Sequence, residues 1–181
     1  HLRRGDSAQI HKLLHSGSVR LGFVGAMLEP DSMTYFPMLE DHLVMCTANN
    51  PHYQALKKQN VCGRDLLREP TVAREEGSGT DRTVQSYMRN MGLADQDLHI
   101  VARVDDPEAI KRMTAQGVGV SVLSALSVAS EVDDGRLLTF PMDPQGLHRS
   151  IYLVFPRETI LSQSEQAFVR FCRQMAIRRN L

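Results

Sequence analysis

The 181 residues suffice for one medium domain or two small lobes, and 42% apolar with 23% charged is the balance of a water-soluble globular chain. Lys plus Arg equals Asp plus Glu at 21 each, so the chain lacks the basic excess of a domain that grips a phosphate backbone. There is no run of 18 apolar residues and no signal-peptide core, while Cys46, Cys62 and Cys172 form no CxxC and read as reduced, mostly buried thiols of a cytoplasmic protein.

In chain order, residues 1–4 predict a short strand. Asp6 then caps a helix with Gln9 at the capping-box position, Ile10, Leu13 and Leu14 on its apolar face, and Gly17 as its stop. Leu21 to Gly25 is a glycine-bounded apolar run, as in a buried strand. Residues 34–48 are extended, interrupted early by Pro37 and ended by Pro51, with a short helical piece near 63–67. Thr71 to Arg74 is a strand, and Val84, Tyr87, Met88 and Met91 at i, i+3, i+4 and i+7 mark a helix closed by Gly92.

Leu98, Ile100, Ala102 and Val104 alternate with His99 and Arg103, predicting a half-buried strand. Asp106-Pro107 opens a helix that Gly117 stops, and Val118 to Leu123 reads as an inner strand. A helix over 125–132, a turn at Asp134-Gly135 and strands over 136–141 and 148–155 follow. The last helix starts at the capping box Ser162-x-x-Glu165 and buries Phe168, Phe171, Cys172 and Met175. Strands alternating with helices predict an α/β protein with largely parallel sheets.

Arg74-Glu-Glu-Gly-Ser-Gly-Thr-Asp-Arg82 sits where a strand meets a helix, and ligands in such folds lie against helix N-termini. Gly77 and Gly79 permit a tight turn, Ser78 and Thr80 add hydroxyl donors, and free N–H groups suit an anion. An N-cap with turn glycines explains the stretch equally well. It is not a phosphate-binding GxxxxGK[ST] loop, a GxSxG nucleophile elbow or a GxGxxG fingerprint. His11 and His15 stand at i, i+4 but lack the Glu of HExxH and fall opposite the apolar face, so they read as solvated, and His99 reads as outward-facing. The scattered methionines read as core filling. Adjacent Glu75 and Glu76 cannot both face one site, and Asp105-Asp106 reads as strand end plus cap. No triad, catalytic carboxylate pair or metal cluster emerges, so the residues predict a binding fold with no catalytic group, cofactor or metal.

In order, these segments resemble the effector-binding domain of LysR-type transcription regulators along nearly the whole chain. The matching stretches are Gly5 to Ser7 with Leu21 to Gly25, Pro37 to Met45 with Asn50 to His52, and Arg74 to Thr80. Glu108 to Met113 with Gly117 to Leu123, Gly135 to Leu137 with Arg149 to Val154, and Ala167, Phe168 and Phe171 complete the series. The resemblance implies two Rossmann-like lobes, periplasmic-binding-protein-like, joined by two crossover strands near 40–45 and 148–153. Lobe I would hold 1–40 and 153–181, and lobe II 42–148.

It further implies a small, often carboxylate-bearing effector contacted by Val24, Gly25, Ala26 and Met27, by Ser78, Gly79 and Thr80, and by Val122, Leu123 and Ser124. DNA would be bound only through an N-terminal helix-turn-helix outside this chain, in a homodimer or tetramer, with the helices at 7–16 and 107–116 as candidate contacts and no membrane partner. Arg20 stands where the family usually has an acidic residue, Ser124 where it often has proline, and the chain starts at the family's second strand. A periplasmic-type solute receptor is the competing reading.

Overall fold

The computed structural model describes residues 1–179, apart from the side chains of Asp95, Arg178 and Arg179. Helix α1 (Ser7–His15) starts where Asp6 accepts a hydrogen bond from the Gln9 N–H at 2.7 Å, and Gly17 ends it at φ +68°. Strand β1 (Gly22–Val24) follows, then β2 (Met33–Ala48), 16 residues without a break. Pro37 does not interrupt β2. It lies before Leu43, where pairing to β5 and β6 begins, in the half that has β7 (Leu147–Pro156) as neighbour.

Helix α2 (Pro51–Lys58) was not anticipated, although Asn50 caps it by accepting from the Tyr53 N–H at 3.0 Å and Pro51 supplies the first turn. A 3-10 turn over Gly63–Leu66 leads to β3 (Thr71–Arg74), α3 (Gly79–Asn90), β4 (Ile100–Val104) and α4 (Pro107–Ala115). The chain continues through β5 (Ser121–Ser124), α5 (Ala129–Asp133), β6 (Leu137–Pro141), β7 and α6 (Gln163–Arg179). The exposed residues 1–4 form no strand, since no other strand pairs with them among the described residues.

The pairs β1–β7, β2–β5 and β2–β6 are antiparallel and β3–β4 is parallel, so the sheets are mixed rather than largely parallel. Two compact units emerge. The first holds His1–Glu40, Gly77–Gly79 and the chain from Arg149 onward; the second holds Asp41–Glu76 and Thr80–His148.

In the second unit, Leu43 and Met45 pack with Val122 and Phe140, while Cys46 packs with Val72, Ile110 and Leu123. Successive residues of β2 and of β5 therefore fill cores on opposite faces of one sheet, which is why these stretches are continuously apolar rather than alternating. The first unit repeats the device: Val154 faces Ile10, Leu14 and Val24, and Leu153 and Phe155 together face Val169 and Cys172.

Helix α6 corrects the expected burial. Its capping box forms, with the Ser162 N–H donating to Glu165 at 2.7 Å, but the buried stripe is Val169, Cys172 and Ala176. Phe168, Phe171 and Met175 are 45%, 59% and 39% exposed, so the helix is rotated by about one residue from the predicted face.

Candidate functional site

The glycine-rich turn into α3 gathers part of the predicted set. Ser78 and Thr80 are almost fully buried, at 1% and 2% exposure, and Gly77 adopts φ +82°, the left-handed conformation that the tight turn requires. In the first unit, Gly79 lies directly on the loop after β1: a Cβ at Gly79 would stand 3.0 Å from the Cα, C and O of Gly25. Gly25 in turn has the Arg149 guanidinium at its other side, 3.1 Å from where its own Cβ would be. Gly25, Ser78, Gly79 and Arg149 are thus neighbours, and two glycines are needed for the backbones to meet.

A helix of twelve residues begins at Gly79, so the positive end of its dipole lies there. The guanidinium of Arg149 adds a full positive charge. Both charges are of the sign that attracts an anion, and the Ser78 hydroxyl lies beside them.

The motif's charged residues have structural partners. Arg74 forms a fork onto Glu75, at 2.7 and 2.8 Å. Arg103 donates to Asp81 at 3.3 Å and to the Arg74 carbonyl at 3.2 Å, and stands 3.6 Å from Glu76. Within the second unit, Thr80, Asp81, Arg103 and Val122 line a cavity of about 40 Å³ beneath α3. A cavity needs about 10–15 Å³ of such space per water, so this one has room for a few waters.

The remaining predicted residues fall elsewhere. Val24 is 3% exposed and packs in the first unit's core, so it carries the loop rather than facing a ligand. Ala26 is half-buried and Met27 is 47% exposed on that loop. Val122 and Leu123 fill the two cores of the second unit. Ser124 donates its hydroxyl to Asp41 at 2.6 Å and receives the Ser127 N–H at 3.4 Å.

Two polar residues were missed. Asp41 is 2% exposed within β2, and the signal was a run of three polar residues, Glu40-Asp41-His42, inside an extended segment. Arg149 carried no local signal, because Gly25 is 124 positions away.

The histidine reading is corrected at one position. His15 is exposed and pairs with Glu29 at 2.5 Å, which holds the Glu29 carboxyl below its usual range. His11 is 2% exposed, one turn after Ser7, with its ring between the Ser7 carbonyl at 2.5 Å and the Tyr35 hydroxyl at 2.6 Å. All three cysteines are free thiols; burial pushes the Cys46 thiol up to about 12, and Cys62 is partly exposed. Among the described residues, no helix is long and apolar enough to cross a membrane.

Residues 1–176 match the family model described as the LysR substrate binding domain. The chain is 28% identical to "Phosphonates import ATP-binding protein PhnC" of Anaeromyxobacter dehalogenans over 95% of this chain and 34% of that protein. It is 26% identical to "HTH-type transcriptional activator CmpR" of Synechocystis sp., over 94% of this chain and 54% of that one. The regulatory domain of CcmR from Synechocystis PCC6803, solved in complex with 2-PG, superposes with a TM-score of 0.83 at 25% identity. That superposition covers 97% of this chain and 82% of the solved one. The chain spans about a third to a half of the length of the curated relatives it matches.

Proposed function

This chain belongs to the LysR substrate-binding domain family, and from that premise we propose that it is the ligand-sensing domain of a transcription regulator, responding to a small anionic metabolite. The observation that carries the proposal is the meeting of Gly25, Ser78, Gly79 and Arg149 at the start of α3. A carboxylate there would accept from the helix N–H groups and the Arg149 guanidinium, with Ser78 and Thr80 as hydroxyl donors and Ala26 and Met27 as loop walls. Val24 would support this frame from the first unit's core. The likeness to CcmR, solved with 2-PG, supports a small ligand.

In this reading the domain is not an enzyme and works in the cytoplasm. DNA contact belongs to a helix-turn-helix segment of the regulator, and α1 and α4 are the faces through which two copies pair. Sedimentation showing only monomer at high concentration would remove the pairing from the proposal.

The deciding experiment is a thermal-shift screen of the chain against small carboxylates, aromatic acids, amino acids and inorganic anions. A ligand at 100 times its dissociation constant stabilises the fold by about 2.7 kcal/mol. The expected hit is an anion whose shift is lost in Ser78→Ala and Arg149→Met, with Thr80→Ala weakening affinity by about 1 kcal/mol. A hit that survives in both Ser78→Ala and Arg149→Met would move the site away from the α3 turn.

A further inference from the structure

The glycine-rich turn carries charge of the wrong sign for an anion. Arg74 to Arg82 holds three carboxylates, on Glu75, Glu76 and Asp81, against two guanidiniums. Arg74 engages Glu75 through both of its bonds, which leaves Glu76 and Asp81 to be balanced. Asp81 stands in the first turn of α3, two residues after Gly79, and its side chain is 8% exposed. A helix N-terminus carries about half a positive charge, so one full carboxylate in its first turn outweighs it for an incoming anion. Salt screens such a buried charge little.

Arg103 supplies the missing cation. Strand β4 runs parallel to β3 with Arg103 opposite Ala73, next to the point where the turn leaves β3. Its guanidinium donates to Asp81 at 3.3 Å and to the Arg74 carbonyl at 3.2 Å, and its Nε stands 3.6 Å from Glu76. Gln85, one helical turn after Asp81, donates to the other carboxylate oxygen at 3.1 Å and so fixes which oxygen faces Arg103. The planar fork of an arginine can address these partners together, where a lysine would offer a single point charge. Arg74, Glu76, Asp81 and Arg103 all belong to the second unit, and Gly77–Gly79 are joined to them through the chain at both ends.

We propose that Arg103 is a positioning residue for anion binding at the start of α3, acting through Asp81 by holding and cancelling its negative charge. This rests on the anion reading above. Arg103 decides the sign of ligand that the turn accepts without touching the ligand.

The test follows the amide resonances of Ser78, Gly79 and Thr80 while the chain is titrated with acetate and, separately, with inorganic phosphate. Arg103→Met should weaken binding of the probe about tenfold, which corresponds to about 1.4 kcal/mol. Asp81→Asn should tighten it about threefold, since the Arg103 charge then faces no carboxylate there. The double variant Arg103→Met/Asp81→Asn lacks the ion pair and also the charge, so it should bind nearly as the wild type does. A double variant as weak as Arg103→Met would make Arg103 a structural brace and overturn the proposal. Where Arg103→Met does not fold, Asp81→Asn decides alone: affinity equal to or below that of the wild type overturns it. If the wild type and Asp81→Asn both bind neither probe, the anion reading itself is lost, and the role of Arg103 with it.

Discussion

Gly79 cannot carry a side chain unless Gly25 moves, because the atoms in the way at 3.0 Å are all backbone. Backbone atoms have no rotamer to escape into, so Gly79→Ala should cost about 1–3 kcal/mol. Gly119 is tighter still: its Cβ would stand 2.4 Å from the Pro70 carbonyl oxygen, which accepts the Val120 N–H at 2.7 Å. Gly17 has open space but sits at φ +68°, so alanine there should cost about 1–2 kcal/mol for conformation alone. Urea midpoints should therefore rank Gly119→Ala below Gly79→Ala. Wild-type stability in Gly79→Ala would show that the approach to Gly25 imposes no constraint. That approach was not legible in the sequence, where Gly79 reads only as a turn residue. Arg149 and the Asp41–Ser124 bond escaped for the same reason, since each partner is distant in the chain.

Between elements, the most exacting contact joins α4 to α5. Lys111 Nζ lies 3.0 Å from Glu131, 2.8 Å from Glu108 and 3.2 Å from the Ser127 carbonyl, and the Lys111 and Glu131 side chains are each 8% exposed. Burial pushes the lysine pKa down, but the two carboxylates outweigh it and leave Lys111 above its ordinary value. Burial pushes Glu131 up, and the bonds to Lys111 and Ser130 outweigh it, leaving that carboxyl below its ordinary range. The depressed Glu131 contributes stability that is complete above the unfolded carboxyl pKa and lost as pH falls through the folded one, below about pH 4. The raised Lys111 contributes stability that is complete below about pH 10 and lost as pH rises through its folded pKa.

Glu131→Gln should accordingly cost about 3 kcal/mol near pH 7, by leaving a buried ammonium without its buried counter-charge. In denaturation across pH, the gap to the wild type should narrow in acid. A gap that stays constant down to low pH would mean packing, not charge, is what the substitution removes.

Elements with their signals inside one turn were legible. Asp6, Asp106 and the Ser162–Glu165 box open the predicted helices as expected. Asn50-Pro51 carried the same information for α2, but that helix buries no residue fully, so its apolar period was too weak to read. The face of α6 was legible only to within one residue, because Val169 and Cys172 compete with Phe168 and Phe171 for burial. What decides is the shape of the Leu153–Phe155 surface beneath them, not hydrophobicity.

At the scale of the whole molecule, the four buried clusters among the described residues divide two and two between the units. Ile10, Leu14, Val24, Met33 and Val154, and then Leu153, Phe155, Val169 and Cys172, belong to the first unit; the clusters around Met45 and Ile110 belong to the second. Stability in such a chain is expected to be local rather than uniform. Leu153 is fully buried, so Leu153→Ala should cost about 3 kcal/mol through lost contacts and an unfilled cavity. Amide exchange should then accelerate in β1 and α6 while the amides of Ile110 and Val122 keep their protection. Equal acceleration everywhere would show a single cooperative unit.

The same variant links stability to sensing. Ser78, Gly79 and Arg149 all belong to the first unit, so an anion bound by them stabilises the unit that Leu153→Ala weakens. At 100 times its dissociation constant that ligand contributes about 2.7 kcal/mol, close to the cost of the substitution. Its addition should therefore return the exchange rates of β1 and α6 nearly to those of the wild type. A ligand that instead slowed exchange only around Ile110 and Val122 would place the anion in the second unit and displace Arg149 from the effector site.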